Sequence, residues 1–120
     1  MDNVQLENGY TPIANVLLEQ MAKIRLSPTQ YRLIFAIWRY TYGFKRKEHE
    51  LSLAFLANLT GCDKRQIQRE LRDLSEKRII NQTIKGGRNR IISFNKHYSQ
   101  WNAIGKSTIG DTDNGEIDNG

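Results

Sequence analysis

Apolar residues recur at helical spacing near the start of the chain, which predicts an amphipathic helix there. The segment opens at about Thr11, and either Pro12 in a first turn or Asn15 as a cap can begin the helix. Its apolar face consists of Ile13, Val16, Leu17 and Met21. We therefore expect one side of this helix to be buried.

A second helix has clearer boundaries. Ser27 precedes Pro28, and Gln30 stands three residues after the serine, the pattern of a capping box with proline in the first turn. We expect this helix to run to about Tyr42. It should end at Gly43, because glycine readily adopts the left-handed conformation that closes helices.

The second helix is apolar over most of its circumference. Arg32 and Arg39, seven residues apart, share the only polar wedge. The apolar positions are Leu33, Ile34, Phe35, Ile37, Trp38, Tyr40 and Tyr42. Such a helix is either the central helix of the core, which we favour, or part of an interface.

Two further helices follow in close succession. Ser52 can cap a short helix that ends before Gly61, and Asp63 can cap a longer one that reaches about Lys77. Gln66 again stands in the capping-box position. Because only residues 61–63 separate the two helices, the spacing is that of a helix-turn-helix.

The chain then changes to β-branched runs. Residues 79–85 and 88–94 are separated by two glycines, Gly86 and Gly87, which predicts a hairpin with a two-residue loop. The strand register is not determined by the sequence. The adjacent isoleucines at 79–80 and 91–92 allow either of two alternating patterns of inward and outward side chains. Helices followed by a hairpin indicate a mainly α fold with a small β-hairpin, a winged helix-turn-helix.

The length of 120 residues predicts one domain, with 1–9 as a flexible N-terminus, 10–102 as the folded domain and 103–120 as a disordered acidic tail or linker.

The longest apolar run, 33–38, is far shorter than the roughly 20 residues of a membrane span. The N-terminus lacks the features of a signal peptide. One cysteine and two histidines exclude an internal disulfide and a zinc set. We therefore expect a cytoplasmic protein.

The charge is unevenly distributed. Eighteen Lys and Arg against thirteen Asp and Glu give +5, but the last ten residues hold four acids and no base. Without them, residues 1–110 carry a net charge of +9. This excess favours a polyanionic partner, nucleic acid or anionic lipid, although charge alone is equally consistent with solubility.

The residue pattern of the fourth helix favours nucleic acid as the partner. Ile67, Leu71 and Leu74 form a core stripe, and three arginines lie about 140–200° around the helix from Ile67. The polar set is Lys64, Arg65, Gln68, Arg69 and Arg72. A buried face opposite long hydrogen-bond donors is typical of a recognition helix in a major groove, whereas the alternative is a solvated charged face.

Distinct roles follow for these residues. Arg65, Gln68 and Arg69 should lie nearest the bases of double-stranded DNA, and Lys64 and Arg72 should hold phosphates. The wing residues with the same phosphate role are Lys85, Arg88 and Arg90. The loop of Lys45, Arg46 and Lys47 is either a further phosphate contact or a solvated turn.

Catalytic signals are missing from the sequence. The two-glycine segment lacks the lysine–hydroxyl pair of a phosphate-binding loop, and the acids and histidines have no metal-ligand spacing. Cys62, in the turn between two helices, is interpreted as a small packing residue. We expect a protein that is not an enzyme and that needs no cofactor or metal.

Several segments resemble a known family. They are Asn8-Gly9-Tyr10, the Tyr-Thr-Tyr-Gly-Phe run at 40–44 with the basic and acidic loop after it, and Leu-Ala-Asn-Leu-Thr-Gly at 56–61. Together they make residues 8–95 similar to the N-terminal domain of the bacteriophage replication protein O family, the lambda-type replication initiators.

This resemblance implies a winged-helix domain that binds repeated sites in a phage origin, often as a homodimer, in the bacterial host cytoplasm at the nucleoid. It also implies that the five polar residues of the fourth helix belong to the recognition helix. A region beyond this chain would recruit the replicative helicase or its loader. The acidic tail departs from the family pattern.

Two other functions fit the same sequence. A transcriptional regulator can use the same fold, because fold does not determine function. Alternatively, the chain is a protein-interaction module of a primosome, with the apolar second helix and Trp38 as its contact surface.

Overall fold

The computed structural model describes residues 2–86 and 89–102, which form four α-helices and a three-stranded antiparallel sheet. In chain order the elements are α1 (Asn15–Lys23), α2 (Pro28–Tyr40), β1 (Glu48–Ser52), α3 (Leu53–Thr60), α4 (Lys64–Glu76), β2 (Ile80–Lys85) and β3 (Asn89–Phe94). Short 3-10 turns occupy Leu6–Asn8, Tyr42–Phe44 and Tyr98–Gln100. Across these described ranges, no helix has the length and apolar character needed to cross a bilayer. The predicted tail at 103–120 lies outside the described residues.

Side-chain caps start three of the four helices at the predicted residues. At α2 the capping box is complete, because Ser27 Oγ accepts from the Gln30 amide and the Gln30 side chain accepts from the Ser27 amide, both at 3.1 Å. Ser52 Oγ accepts from the Phe55 amide at the start of α3. These caps lie within three residues of their partners, which is why local sequence predicts them.

The start of α1 and one detail of the α4 cap differ from expectation. Helix α1 begins at Asn15 itself, after Ala14, and no side chain caps it, so neither the Pro12 start nor the Asn15 cap was correct. At α4, Asp63 Oδ1 accepts from the Gln66 amide at 2.9 Å as predicted. The Gln66 side chain does not complete a capping box, however, because it donates to another helix.

The end of α2 is also different from the prediction. The helix ends at Tyr40, and the left-handed residue beyond it is Lys45, with φ 58°, rather than Gly43. A Cβ placed on Gly43 would lie 2.8 Å from Thr11 Oγ1 and 3.2 Å from Arg39 Nη1. Glycine is therefore needed at position 43 for the close approach of the chain before α1, not for its backbone conformation.

We expect Gly43→Ala to lower the free energy of unfolding by about 1–3 kcal/mol, the usual cost of overpacking. Urea unfolding followed by circular dichroism measures this loss. Adding Thr11→Ala removes the nearest obstructing atom, so the double variant should recover much of the stability. A Gly43→Ala protein as stable as the wild type would contradict this explanation.

The sheet contains one strand more than the predicted hairpin. Strand β3 lies in the centre, paired with β1 on one side and β2 on the other. Its register joins Glu48 to Ser93 on the β1 side and Lys85 to Asn89 on the β2 side. Three residues, 86–88, therefore separate the hairpin strands, and the predicted two-residue loop is wrong.

The core lies between the helices and one face of the sheet. Its fully buried side chains are Leu33, Ile34, Ile37, Leu56, Ile67, Leu71, Leu74, Ile79, Ile80 and Ile92. Three of them belong to α2, which confirms that α2 is a core helix. Trp38 is also buried, so it is not available as the contact surface of an interaction module. Phe35 is instead the exposed aromatic residue of this helix, at 64% of its full accessibility.

Candidate nucleic-acid interface

Helix α4 has one buried and one exposed side, as its sequence predicts. Ile67, Leu71 and Leu74 are fully buried. The five predicted contact residues, Lys64, Arg65, Gln68, Arg69 and Arg72, are all exposed. None of these five side chains forms a hydrogen bond or an ion pair with the described parts of the chain. Four cationic side chains and one amide side chain therefore extend from a helix whose opposite side is buried. Their hydrogen-bond donors have no partner among the described residues.

Polar contacts with α2 orient α4 about its own axis. Gln30 Nε2 donates to Asp73 Oδ2 at 2.6 Å, and Gln66 Nε2 donates to Thr29 Oγ1 at 2.9 Å. Lys77 Nζ lies 3.0 Å from the same Asp73 oxygen. These bonds use one flank of α4, which leaves the arginine face turned outward.

The Asp73 carboxylate is held in its charged form by these contacts. Partial burial acts to raise the pKa of Asp73, but the hydrogen bonds from Lys77 and Gln30 outweigh it and lower the pKa. The contact between Gln30 and Asp73 could not be expected from the sequence. Their separation of 43 residues explains this, because no local pattern links them.

The hairpin presents less positive charge than predicted. Lys85 is exposed, whereas Arg88 lies outside the described residues. Arg90 is only 3% exposed, so its placement on an exposed basic tip is wrong. The physical reason is strand alternation, because Arg90 shares the inward face of β3 with Ile92 and Phe94.

Arg90 occupies an unusual environment for a cation. Its Nη1 lies 3.4 Å from Gln82 Oε1, and its Nε has no hydrogen-bond partner. Burial lowers the pKa of Arg90 from its ordinary value. Arg90 therefore packs within the sheet and is not presented to a phosphate.

The basic loop after α2 is exposed at all three predicted positions, Lys45, Arg46 and Lys47. Arg46 is also positioned, since its Nε donates to the Tyr40 carbonyl at 3.0 Å. Its guanidinium carbon lies 4.8 Å from the centroid of the Phe44 ring. The loop thus offers two free lysines and one fixed arginine.

Metal-binding and thiol chemistry receive little support from the geometry. In the described parts of the chain, no group of three or more His, Cys, Asp or Glu side chains could hold a metal ion. Cys62 is partly buried in the turn before α4, with Sγ 3.9 Å from Thr29 Oγ1. It packs against the core as a small side chain.

Comparison with known proteins places the chain among phage replication proteins. Residues 2–101 match the family described as bacteriophage replication protein O. The chain is 31% identical over 96 residues to Replication protein 15 of Enterobacteria phage phi80, covering 80% of this chain and 32% of that protein. It is 30% identical over 107 residues to DNA replication protein gp18 of Salmonella phage P22, covering 86% and 38% respectively.

A third relative is Replication protein O of Escherichia phage lambda, 28% identical over 96 residues that cover 80% of this chain and 27% of that protein. The chain thus spans about a third of the length of the curated relatives it matches. No solved structure matches it significantly. Since the family match covers nearly all of the residues that the structure describes, the chain belongs to the bacteriophage replication protein O family.

Proposed function

We propose that this chain is a duplex-DNA-binding module of a phage replication initiator, and that α4 is its recognition helix. One observation carries the proposal: Lys64, Arg65, Gln68, Arg69 and Arg72 are exposed, without a partner among the described residues, on one side of a helix whose other side is fully buried. A helix of this construction fits the major groove of B-DNA, whose base edges accept hydrogen bonds from arginine and glutamine.

The element order supports a winged helix-turn-helix. Helix α3, the short turn at 61–63 and α4 form the helix-turn-helix, and β2 and β3 supply the wing. In this arrangement Arg65, Gln68 and Arg69 read base edges, whereas Lys64 and Arg72 hold phosphates. Further phosphate contacts come from Lys85 and from the two lysines of the exposed loop, Lys45 and Lys47.

Membership of the replication protein O family supports a role in phage DNA replication. The proposed sites are repeats within a phage origin, bound by a homodimer, in the host cytoplasm. The module acts by binding and not by catalysis, without a cofactor. Recruitment of a helicase or its loader is assigned to a region outside this chain, consistent with its covering about a third of its relatives.

Footprinting on the DNA that encodes this chain, together with affinity measured against salt, tests the proposal. We expect protected repeats inside the replication gene. Neutralising about four to six phosphates should make the logarithm of the affinity fall against the logarithm of the salt concentration with a slope of about −4 to −5. Changing the exposed Lys23 and Arg25, which lie outside α4, to alanine should keep the same footprint.

Two results would contradict the proposal, and each would support one of the two other functions. A protected site that overlaps a promoter, with no repeats in the replication gene, would identify a transcriptional regulator. Duplex binding that is weak and insensitive to salt would indicate a protein-interaction module, because phosphate contacts always release counterions.

A further inference from the structure

A second charged surface lies on the outward side of α2. Gln30 on α2 hydrogen-bonds Asp73 of α4, whereas Arg32, Phe35 and Arg39 lie about 140–200° around the helix from Gln30. All three of these outward side chains are exposed. The Nη1 of Arg32 lies 3.5 Å from the Thr60 carbonyl and 3.9 Å from Cys62 Sγ. The surface therefore begins beside the turn at 61–63.

The surface continues from α2 onto the loop that follows. The guanidinium carbons of Arg39 and Arg46 each lie 4.8 Å from the centroid of the Phe44 ring. Phe44 is 49% exposed. Cations and exposed rings thus alternate along one path, and we call its five residues the aromatic–basic strip: Arg32, Phe35, Arg39, Phe44 and Arg46.

Two open cavities lie along the strip, on either side of Arg39. Each has a volume of about 430 Å³. The first lies beside Phe35 and Leu59, and the second lies beside Tyr10 and Phe44. This size lies within the range of sites that hold small organic groups. The first cavity therefore offers a mainly apolar surface next to a guanidinium, whereas the second combines polar groups with the Tyr10 and Phe44 rings.

The cations of the strip have no carboxylate partner in the described residues, where the one ion pair joins Lys77 to Asp73. Arg32 and Arg46 contact backbone carbonyls, at 3.5 and 3.0 Å, and Arg39 lies over aromatic rings. Among the residues that the structure describes, no acidic side chain lines either cavity. The strip is therefore complementary to an anion with several charges along its length.

We propose that the aromatic–basic strip binds single-stranded DNA, with phosphates against the arginines and a base against the exposed Phe35 ring. Phe44 instead positions the cations, since the guanidiniums of Arg39 and Arg46 lie over its ring. Tyr40 also stacks on that ring, with the centroids 5.8 Å apart. Single-strand binders combine a positive groove with aromatic side chains on which bases stack. A duplex encloses its base faces, so exposed rings suit a single strand. Arg32 and Arg39 are separated by about 10.5 Å along α2, with Arg46 further on, and this spread fits a backbone that carries a charge on every unit.

Binding of fluorescently labelled oligo(dT), about 16 nucleotides long, to the full chain tests the proposal by anisotropy. Phe35→Ala should weaken oligo(dT) binding at least about fivefold, since one base loses its stacking partner. Arg32→Gln should reduce the dependence of log affinity on log salt by about 0.7. Because Phe35 is largely exposed, its replacement should leave the thermal midpoint and duplex binding unchanged.

Two comparisons separate this site from α4 and from a protein-docking surface. Phe35→Leu keeps an apolar side chain but removes the ring, so it should lose oligo(dT) as Phe35→Ala does. Arg69→Ala should weaken duplex binding and leave oligo(dT) binding intact. The duplex proposal and the single-strand proposal can therefore fail independently of each other.

The inference is overturned if the wild-type chain does not bind oligo(dT), or if Phe35→Leu binds it normally. It is equally overturned if Arg69→Ala weakens oligo(dT) as strongly as Phe35→Ala, because the single strand would then lie on α4. Binding of an acidic, leucine-containing peptide in place of oligo(dT) would identify the strip as a protein-docking surface.

Discussion

Trp101→Ala is expected to lower the free energy of unfolding by about 3–5 kcal/mol, the usual cost of removing a buried aromatic side chain. Trp101 is only 2% exposed, and its ring packs edge-on against Phe94 with the centroids 5.6 Å apart. Its Nε1 also donates to the Asn95 carbonyl at 2.7 Å. Because small domains are stable by about 5–15 kcal/mol, this loss would remove a large fraction of the stability and lower the urea midpoint clearly.

Urea unfolding followed by circular dichroism measures the effect, with Trp101→Phe as the matched control. Phenylalanine retains most of the packing and loses the hydrogen bond, so about 1–2 kcal/mol should be lost instead. If Trp101→Ala unfolded at the wild-type urea concentration, the segment after β3 would not belong to the cooperative core.

Changing Arg65 and Arg69 together to alanine should weaken binding to the footprinted duplex by at least about 30-fold. Each arginine that reads a base is worth about 1–3 kcal/mol, and the two losses should approximately add. Site preference should relax as well, because base contacts carry the specificity. Both side chains are exposed and unpaired, so the unfolding midpoint should not fall.

Competition between the cognate duplex and random duplex measures affinity and preference in one experiment. The control changes Lys23 and Arg25 to alanine, which removes the same charge from exposed positions outside α4. If the α4 double variant and this control lost equal affinity, the effect would be nonspecific electrostatics. Unchanged affinity and preference in the α4 double variant would show that α4 is not the recognition helix.

Local interactions account for what could be predicted about the fold and the candidate site. The caps at Ser27, Ser52 and Asp63 involve partners three residues away, so the residue pattern alone places these helix starts. The helical period likewise separates the buried and exposed sides of α4. Its five candidate contact residues were identified this way, and the structure leaves all five exposed.

Long-range pairing accounts for what was missed. The segment Glu48–Ser52 has a single buried residue, Leu51, and becomes a strand because β3, about 40 positions later, pairs with it. The same pairing sets the register that turns Arg90 inward. The packing of neighbouring elements likewise decides that Phe35 is exposed and that Gly43 must be small.

The sequence by itself determined three of the four helix starts, the amphipathic recognition-helix candidate, the excess of positive charge and the family resemblance. Each of these depends on neighbours within a few residues, on composition or on short motifs. Only the tertiary structure decided the three-stranded sheet, the burial of Arg90, the bonds from Gln30 and Gln66 that orient α4, and the position of the Arg39 guanidinium over the Phe44 ring. The physical reason is that each of these depends on contacts between elements that lie apart in the chain, and these contacts form only when the core packs.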